Sequence, residues 1–201
     1  MGKGLRKPVL ERLNPNGAHR INWAAALGKD KKDLDKNAFE VDPDTGVILR
    51  KADGMRVMAL SSVAWVTLEN ELASTFVSGA AVILQRMGYS YGRYKAKLAV
   101  ASGMTPDDFL DVVVQYSKEA GWGRLVLNSG DVKKGQAHII VKDCYFCLHW
   151  KDSQVPVCHM LVGFIGGVAD QMLGRVHRVI EMRCIAKGDN VCEVVMDRLE
   201  G

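Results

Sequence analysis

The middle of the chain carries apolar residues at helical spacing. Between residues 61 and 87 they recur every three or four positions, at Trp65, Leu68, Leu72, Phe76, Val77, Ala80, Ile83 and Leu84. This period predicts one long amphipathic helix that is capped by Ser61 or Ser62. Gly88 follows as a suitable C′ residue, so the helix is predicted to end there.

Upstream of this helix the pattern is different. Residues 46–60 contain two apolar runs around the turn pair Asp53-Gly54, which is typical of a β-hairpin. Residues 1–45 are rich in Lys, Asp, Asn and Pro and have few periodic apolar positions. They therefore predict an irregular N-terminal arm.

Downstream of Gly88, two further helical segments are expected. The tyrosine-rich stretch 89–102 predicts an elbow followed by a short second helix. A third helix is predicted to begin at Thr105, its cap, with Pro106 at the first helical position. It is predicted to run to Gly121.

The C-terminal half switches between the two periods. It predicts a β-β-α-β-β order, with strands at 122–130 and 135–151, a helix at 155–173 ended by Gly174, and strands at 175–186 and 191–197. Consecutive hairpins imply an antiparallel sheet. The predicted fold class is therefore α+β, with an antiparallel sheet packed against helices, a long central helix and a single domain over residues 46–201.

Composition and charge exclude some functions. The formal net charge of +4 is small, the basic residues are scattered, and the charge run "KDKKDLDK" mixes both signs. No nucleic-acid-binding signature is present, so direct nucleic acid binding is not expected. The longest apolar run is interrupted by His159 and Asp170 and is too short to span a bilayer. With no apolar leader visible, we expect a cytoplasmic protein without a membrane association.

Three of the five cysteines predict a metal site together with one carboxylate. Cys184 and Cys192 flank the turn "KGDN", and a two-residue turn at Gly188 would bring them together across a hairpin. Cys158 in the first turn of the preceding helix and Glu181 would complete a closed tetrahedral Cys₃Glu zinc site. Glu181 and Cys184 are three residues apart, so the strand must bend or end between them. Spacing alone leaves two buried thiols as an equal alternative.

The other two cysteines lie in "CYFC", a CxxC motif. A CxxC resembles half of a zinc knuckle. However, Cys144 and Cys147 fall in a predicted strand, where residues three apart face opposite sides. The pattern therefore favours core thiols at these two positions.

The C-terminal motif resembles the 4-vinyl reductase domain family of hydrocarbon-binding proteins. The stretch "PVCHMLVGFIGGVADQMLGRVHRVIEMRCIAKGDNVCEVVM" matches the family pattern at Cys158, Gly163, Gly167, Gly174, Glu181, Cys184, Gly188 and Cys192. Residues 46–100 also resemble the sensory domain of phenol- and xylene-responsive transcription regulators. The resemblance implies zinc at the matching Cys158, Glu181, Cys184 and Cys192, beside an aromatic ligand pocket, and it implies a homodimer.

Aromatic and histidine residues are the predicted pocket residues. They are Phe109, Trp122, His138, Tyr145, Phe146, His149, Trp150 and Phe164. Apolar pockets with a few polar groups are typical small-molecule sites. For most of these residues a place in the ordinary core is the alternative.

The leading hypothesis is a zinc-stabilised binding domain for a small hydrophobic or aromatic ligand that acts as a sensor or carrier. No catalytic triad, P-loop or dinucleotide motif is present, so we predict no catalytic residues, and zinc is the expected cofactor. Two alternatives remain open at this point. One is an enzyme or accessory protein acting on a tetrapyrrole-type substrate, which the family name suggests, and the other is a thiol-based redox sensor.

Overall fold

The structure, a computed structural model, describes residues 38–51, 54–106, 113–114, 117–150 and 152–199. The predicted arm up to residue 37 and Asp53 of the predicted turn lie outside these residues. The α+β class is confirmed, because helices alternate with two antiparallel sheets. No helix within the described ranges has the length and apolar character needed to span a membrane.

The first sheet has three short strands, β1 (Phe39–Val41), β2 (Ile48–Arg50) and β3 (Met55–Val57). The β2–β3 hairpin confirms the hairpin predicted at 46–60, with Arg50 opposite Met55. β1 falls in the segment assigned to the arm and pairs with β2.

The predicted long helix is two helices. Helix α1 (Ser62–Phe76) begins after Ser61, whose side chain accepts a hydrogen bond from the Ala64 amide, so the predicted cap is confirmed. The chain breaks at Val77, which has a φ of 47°. Helix α2 (Gly79–Ala101) then continues for 23 residues.

The prediction that Gly88 ends a helix is wrong. Gly88 and Gly92 lie inside α2, where each faces the backbone of helix α3 (His159–Leu173). A Cβ on Gly88 would overlap the carbonyl oxygen of Met160, and a Cβ on Gly163 of α3 would overlap that of Gln85. The glycines therefore allow two helices to approach backbone to backbone, as small residues spaced four apart do elsewhere.

The second sheet has the order β4-β5-β7-β6, and all its strands are antiparallel. The strands are β4 (Arg124–Ser129), β5 (Ala137–Lys142), β6 (His177–Arg183) and β7 (Cys192–Arg198). Alternate residues of β5 and β7 are buried, including Val141 and Val194 at 0% exposure. This is the period expected when one face of a sheet packs against a helix.

The predicted strand 135–151 is too long. β5 ends at Lys142, Asp143 follows with a φ of 53°, and residues Tyr145–Cys147 form a 3₁₀ turn. Helix α3 ends at Gly174 with a φ of 66°, as predicted. Between β6 and β7 the connection is a 3₁₀ turn, Ile185–Lys187, followed by Gly188, so the two-residue turn is also wrong.

The third predicted helix is described only in part. Residues 106, 113–114 and 117–119 are helical. The other residues between 106 and 117, among them the predicted pocket residue Phe109, lie outside the described ranges.

Candidate metal centre and ligand cavity

All five cysteines meet at one end of the four-stranded sheet. Cys144 and Cys147 follow the end of β5, Cys158 caps α3, Cys184 follows β6, and Cys192 begins β7. Because β7 is antiparallel to both β5 and β6, its first residue lies beside their last residues. All five thiols have 0% exposure.

The sulfur atoms are spaced as in a metal–thiolate site. The Sγ of Cys158 lies 3.6 Å from that of Cys144, 3.9 Å from that of Cys184 and 3.8 Å from that of Cys192. The Sγ atoms of Cys147 and Cys192 are 3.4 Å apart. Tetrahedral zinc with Zn–S bonds of about 2.3 Å places neighbouring sulfurs about 3.8 Å apart. The spacing therefore suits a tetrahedral ion.

A β-bulge turns Glu181 toward the same cluster. Glu181 pairs with Val194 and Arg183 with Glu193, so Met182 is the extra residue. This is the bend that the three-residue spacing of Glu181 and Cys184 required, and bulges re-aim side chains in this way.

The Glu181 carboxylate is half satisfied. Its Oε2 accepts a hydrogen bond of 2.9 Å from the Cys158 amide, whereas its buried Oε1 has no hydrogen-bond partner among the described residues. Burial, followed by the negative charge of Cys184, raises the pKa of Glu181 to about 8. A buried carboxylate oxygen without a partner costs free energy, and a cation would remove that cost.

The thiols divide into two groups by proton affinity. Hydrogen bonding with Cys144 raises the pKa of Cys147 and Cys158 above the usual range. Hydrogen bonds from Cys147 and Cys158 lower the pKa of Cys184 to about 6, and those from Cys144 and Cys158 lower that of Cys192 to about 6. The last two are therefore thiolates near neutral pH, the form in which cysteine binds metals.

The four predicted zinc ligands are brought together. One ligand atom from each of Cys158, Glu181, Cys184 and Cys192 lies within 4.8 Å of every other. Three sulfurs and one oxygen, all buried, are a donor set that zinc takes in closed structural sites. The residues therefore fit a zinc ion, whose presence stays a prediction.

An apolar cavity lies at the other end of α3. Its described lining contains only apolar side chains, including Leu125, Ile139, Phe164, Ile165, Ala169 and Met196. The cavity measures about 60 Å³, counted as the space open to the centre of a water molecule. One water needs roughly 10–15 Å³ on this measure, so there is room for several waters or for a small ring.

Of the described pocket residues predicted from sequence, Phe164 alone lines this cavity. Trp122 contacts Phe164 edge-on, with ring centroids 5.0 Å apart, and Phe146 contacts Trp122 at 5.3 Å. Tyr145 packs on Phe146 at 5.7 Å. These rings form an aromatic cluster between the cavity and the cysteines.

The remaining pocket candidates lie elsewhere. Nε2 of His138 is 2.7 Å from Oε1 of Glu193, on the sheet face opposite the buried β5 residues. His149 Nε2 is 2.7 Å from the Ser62 hydroxyl at an exposed position. None of these contacts lies at the cavity, and a ligand role for these residues stays a prediction.

Trp150 has a partner that the sequence reading missed. Its Nε1 donates a hydrogen bond of 2.7 Å to Oε2 of Glu69, which is 2% exposed. Burial is the main cause that raises the pKa of Glu69 to about 7. The available signal was that Glu69 lies four residues after Trp65, on the same helix face.

Solved structures share the fold. The phenol-responsive sensory domain of the transcription activator PoxR, solved with phenol, matches with a TM-score of 0.68 and 21% identity over 80% of this chain and 85% of that one. A vinyl-4-reductase family protein from Methanocaldococcus jannaschii matches with a TM-score of 0.52 and 13% identity over 72% of this chain and 85% of that one.

A third structure has the same fold and a different occupant. It is a trafficking protein particle complex subunit 3 from Naegleria fowleri, covalently bound to palmitic acid, with a TM-score of 0.55 and 13% identity over 69% of this chain and 93% of that one. At these identities the similarity establishes the shared fold.

Sequence comparison identifies the C-terminal part. An uncharacterized protein of M. jannaschii is 26% identical over 108 residues, which are 54% of this chain and 61% of that protein, so less than two thirds of the relative's length is matched. The family model of the 4-vinyl reductase domain matches residues 137–198, from the start of β5 to the end of β7. The resemblance predicted from the cysteine and glycine pattern is therefore confirmed, and residues 137–198 form a 4-vinyl reductase domain.

Proposed function

We propose that this protein binds a small hydrophobic or aromatic molecule in the cavity beside α3 and acts as a sensor or carrier. The observation that carries the proposal is the cavity itself, a space whose described walls are entirely apolar. The PoxR domain, which has the same fold, is phenol-responsive and was solved with phenol, which supports the proposal.

The lining indicates the chemistry of the ligand. The described wall offers no N–H or O–H group to a guest. A buried hydroxyl without a partner costs free energy, so this wall favours hydrocarbon surface over a polar ring substituent. Toluene and phenol are therefore the informative pair of probes.

Zinc would stabilise the frame of this cavity. Held by Cys158, Glu181, Cys184 and Cys192, the ion would have no open position and would supply a cross-link between α3 and the last hairpin. Both elements also line the cavity, through Phe164 and Met196. The proposed metal role is accordingly structural.

The test is ligand-induced stabilisation of the purified chain. Toluene should raise the melting temperature, and native mass spectrometry should identify any co-purified hydrophobic molecule. Ala169→Leu fills the cavity and should abolish the toluene shift while zinc is retained. Ala101→Leu, at an exposed position outside the cavity, is the matched control. An unchanged toluene shift in Ala169→Leu would contradict the cavity assignment.

A homodimer, which the family resemblance implies, is part of the proposal. Helices α1 and α2 expose Leu68 at 53%, Phe76 at 52% and Val82 at 59%. Leu68→Glu should give a monomer by light scattering, whereas Val176→Glu, at another exposed apolar position, should not. A wild-type chain that is monomeric throughout the micromolar range would remove this element.

The thiol-sensor alternative has one specific observation in its favour. Cys147 and Cys192 have their sulfurs 3.4 Å apart, within easy reach of a disulfide. Thiol titration before and after peroxide treatment tests it. Unchanged free thiols would exclude it.

A further inference from the structure

The cysteine cluster has more donors than one ion can use. The six buried donors are Cys144, Cys147, Cys158, Glu181, Cys184 and Cys192. Two tetrahedral sets can be drawn from them, each with its ligand atoms within 4.8 Å of one another. One set combines Cys144 and Cys147 with Cys158 and Cys192, and the other combines Glu181 and Cys184 with the same two cysteines.

The geometry points to a binuclear metal–thiolate cluster in which Cys158 and Cys192 bridge two divalent ions. Each ion would have four ligands, two terminal and two shared, so the six donors are used without remainder. The inference rests on the proposed zinc site, because it shares Cys158 and Cys192 with that site. It adds a second ion on the side of Cys144 and Cys147.

The bridging positions are those with the most sulfur neighbours. Cys158 has sulfur contacts on both sides, to Cys144 at 3.6 Å and to Cys184 at 3.9 Å. Cys192 lies 3.8 Å from Cys158 and 3.4 Å from Cys147. A shared edge of this length is what two tetrahedra with Zn–S bonds of about 2.3 Å require.

The 3₁₀ turn holds the second pair of cysteines in place. The positive φ of Asp143 reverses the chain direction after β5, and the Tyr145 amide donates to the Trp122 carbonyl oxygen at 3.1 Å. Phe146, 3% exposed, packs edge-on against Trp122. With the aromatic ring anchored in the core, both flanking thiols are held buried in the cluster.

Charge also favours a second ion. Five thiolates and one carboxylate carry a charge of −6, which one divalent ion lowers to −4 and two ions lower to −2. Uncompensated buried charge is costly, so a single ion would force two donors to keep their protons. Five sulfurs select a borderline or soft ion such as Zn²⁺ or Cd²⁺.

Metal counting on the full chain tests the inference. Wild-type protein expressed with zinc should contain two ions per chain by native mass spectrometry and elemental analysis. The Cys144→Ser/Cys147→Ser variant should retain one ion, and so should the Glu181→Gln/Cys184→Ser variant. Leu148→Ser, at an exposed position beside Cys147, is the control and should retain two.

The outcomes separate this inference from the proposed zinc site. One ion in the wild type, retained by Cys144→Ser/Cys147→Ser, overturns the second ion and leaves the proposed site intact. One ion lost only with the CxxC pair overturns both assignments in favour of a Cys₄ site. Two ions in Cys144→Ser/Cys147→Ser would place the second ion elsewhere and overturn the inference.

The bridges have a spectroscopic signature that needs no variant. Wild-type protein exchanged with ¹¹³Cd should give two resonances that are split by mutual coupling through the shared thiolates. Two resonances without mutual coupling would mean separate ions and would overturn the bridged cluster. This readout remains valid if any of the serine variants fails to fold.

Discussion

Helix α3 has two ends with opposite packing. At its N-terminal end, five thiols and a carboxylate fill the space between α3 and the sheet, and the sulfurs lie within 4 Å of their neighbours. At its C-terminal end, the same helix and the same sheet leave an apolar cavity. One pair of elements thus provides both a filled, polar-ligand end and an open, apolar end.

The difference separates holding from binding. Tight packing at the thiol end fixes the angle between α3 and the sheet, and the space at the cavity end is kept open by that fixed angle. Packed interiors otherwise close around voids only in part. The comparison predicts that equal changes at the two ends have unequal effects.

Loss of a shared thiol should have the largest effect. Cys192→Ser removes a donor common to both tetrahedral sets, so the protein should lose its metal and melt at a markedly lower temperature, because metal binding is coupled to folding. Zinc content and thermal unfolding measure this. Full zinc and unchanged melting would show that the thiol end is an ordinary core.

Matched leucine truncations compare the ends directly. Leu161, 0% exposed and three residues after Cys158, should lose about 5 kcal/mol of unfolding free energy as Leu161→Ala, at the upper end of such substitutions. Leu125, 3% exposed, borders the cavity and therefore has fewer packing partners on that side. Leu125→Ala should cost about 3 kcal/mol.

Urea unfolding of the two variants side by side gives the difference. Equal losses would mean that the cavity collapses around smaller side chains as poorly as the filled end does. In that case the contrast between the ends would be one of composition only.

The helix interface that supports α3 should show a sharp position dependence. Gly163→Ala places a Cβ against the Gln85 carbonyl and should cost about 3 kcal/mol by overpacking. Gly166→Ala meets only Val179 Cγ2 at 3.5 Å and Tyr89 Cδ2 at 3.8 Å, both ordinary contacts, and should gain about 0.5–1 kcal/mol of helix propensity. Similar stabilities for the two variants would contradict the backbone contact between α2 and α3.

The smallest effect is a pH dependence beside the thiol end. The pKa of Glu69 is about 7 in the folded chain against an ordinary value of 4.5, so the fold favours its protonated form. Its contribution to stability is therefore lost as pH rises from about 4.5 to 7. Glu69→Gln should become more stable relative to wild type across that window.

Comparing variant and wild type at each pH cancels the shared effect of metal release. Glu71→Gln, on the exposed side of α1, is the control and should follow the wild type. A Glu69→Gln curve parallel to that of the wild type would show that Glu69 does not titrate in this range.

Sequence reasoning recovered the elements whose signals are local. The cap at Ser61, the end of α3 at Gly174 and the hairpin around Gly54 all follow from one or two residues in their own segment. The grouping of Glu181 with Cys184 needed a bend, and the bulge at Met182 provides it.

The misses share a physical cause, which is that distant segments decide them. Gly88 has the signature of a helix end, but the backbone of α3 makes glycine necessary inside a helix. "CYFC" has a strand-like composition, but Phe146 is drawn into an aromatic cluster with Trp65 and Trp122, and the chain turns. The cavity is lined mostly by aliphatic residues, which no local pattern distinguishes from ordinary core.

The order of the ligands along the chain has a consequence for biosynthesis. Cys158 meets partners that are 14 residues before it and 26 and 34 residues after it, and Cys192 starts the last described strand. A growing chain therefore exposes Cys144 and Cys147 well before β7 is made. Neither tetrahedral set can close until β7 emerges from the ribosome, so a product truncated before Cys192 would lack both sets.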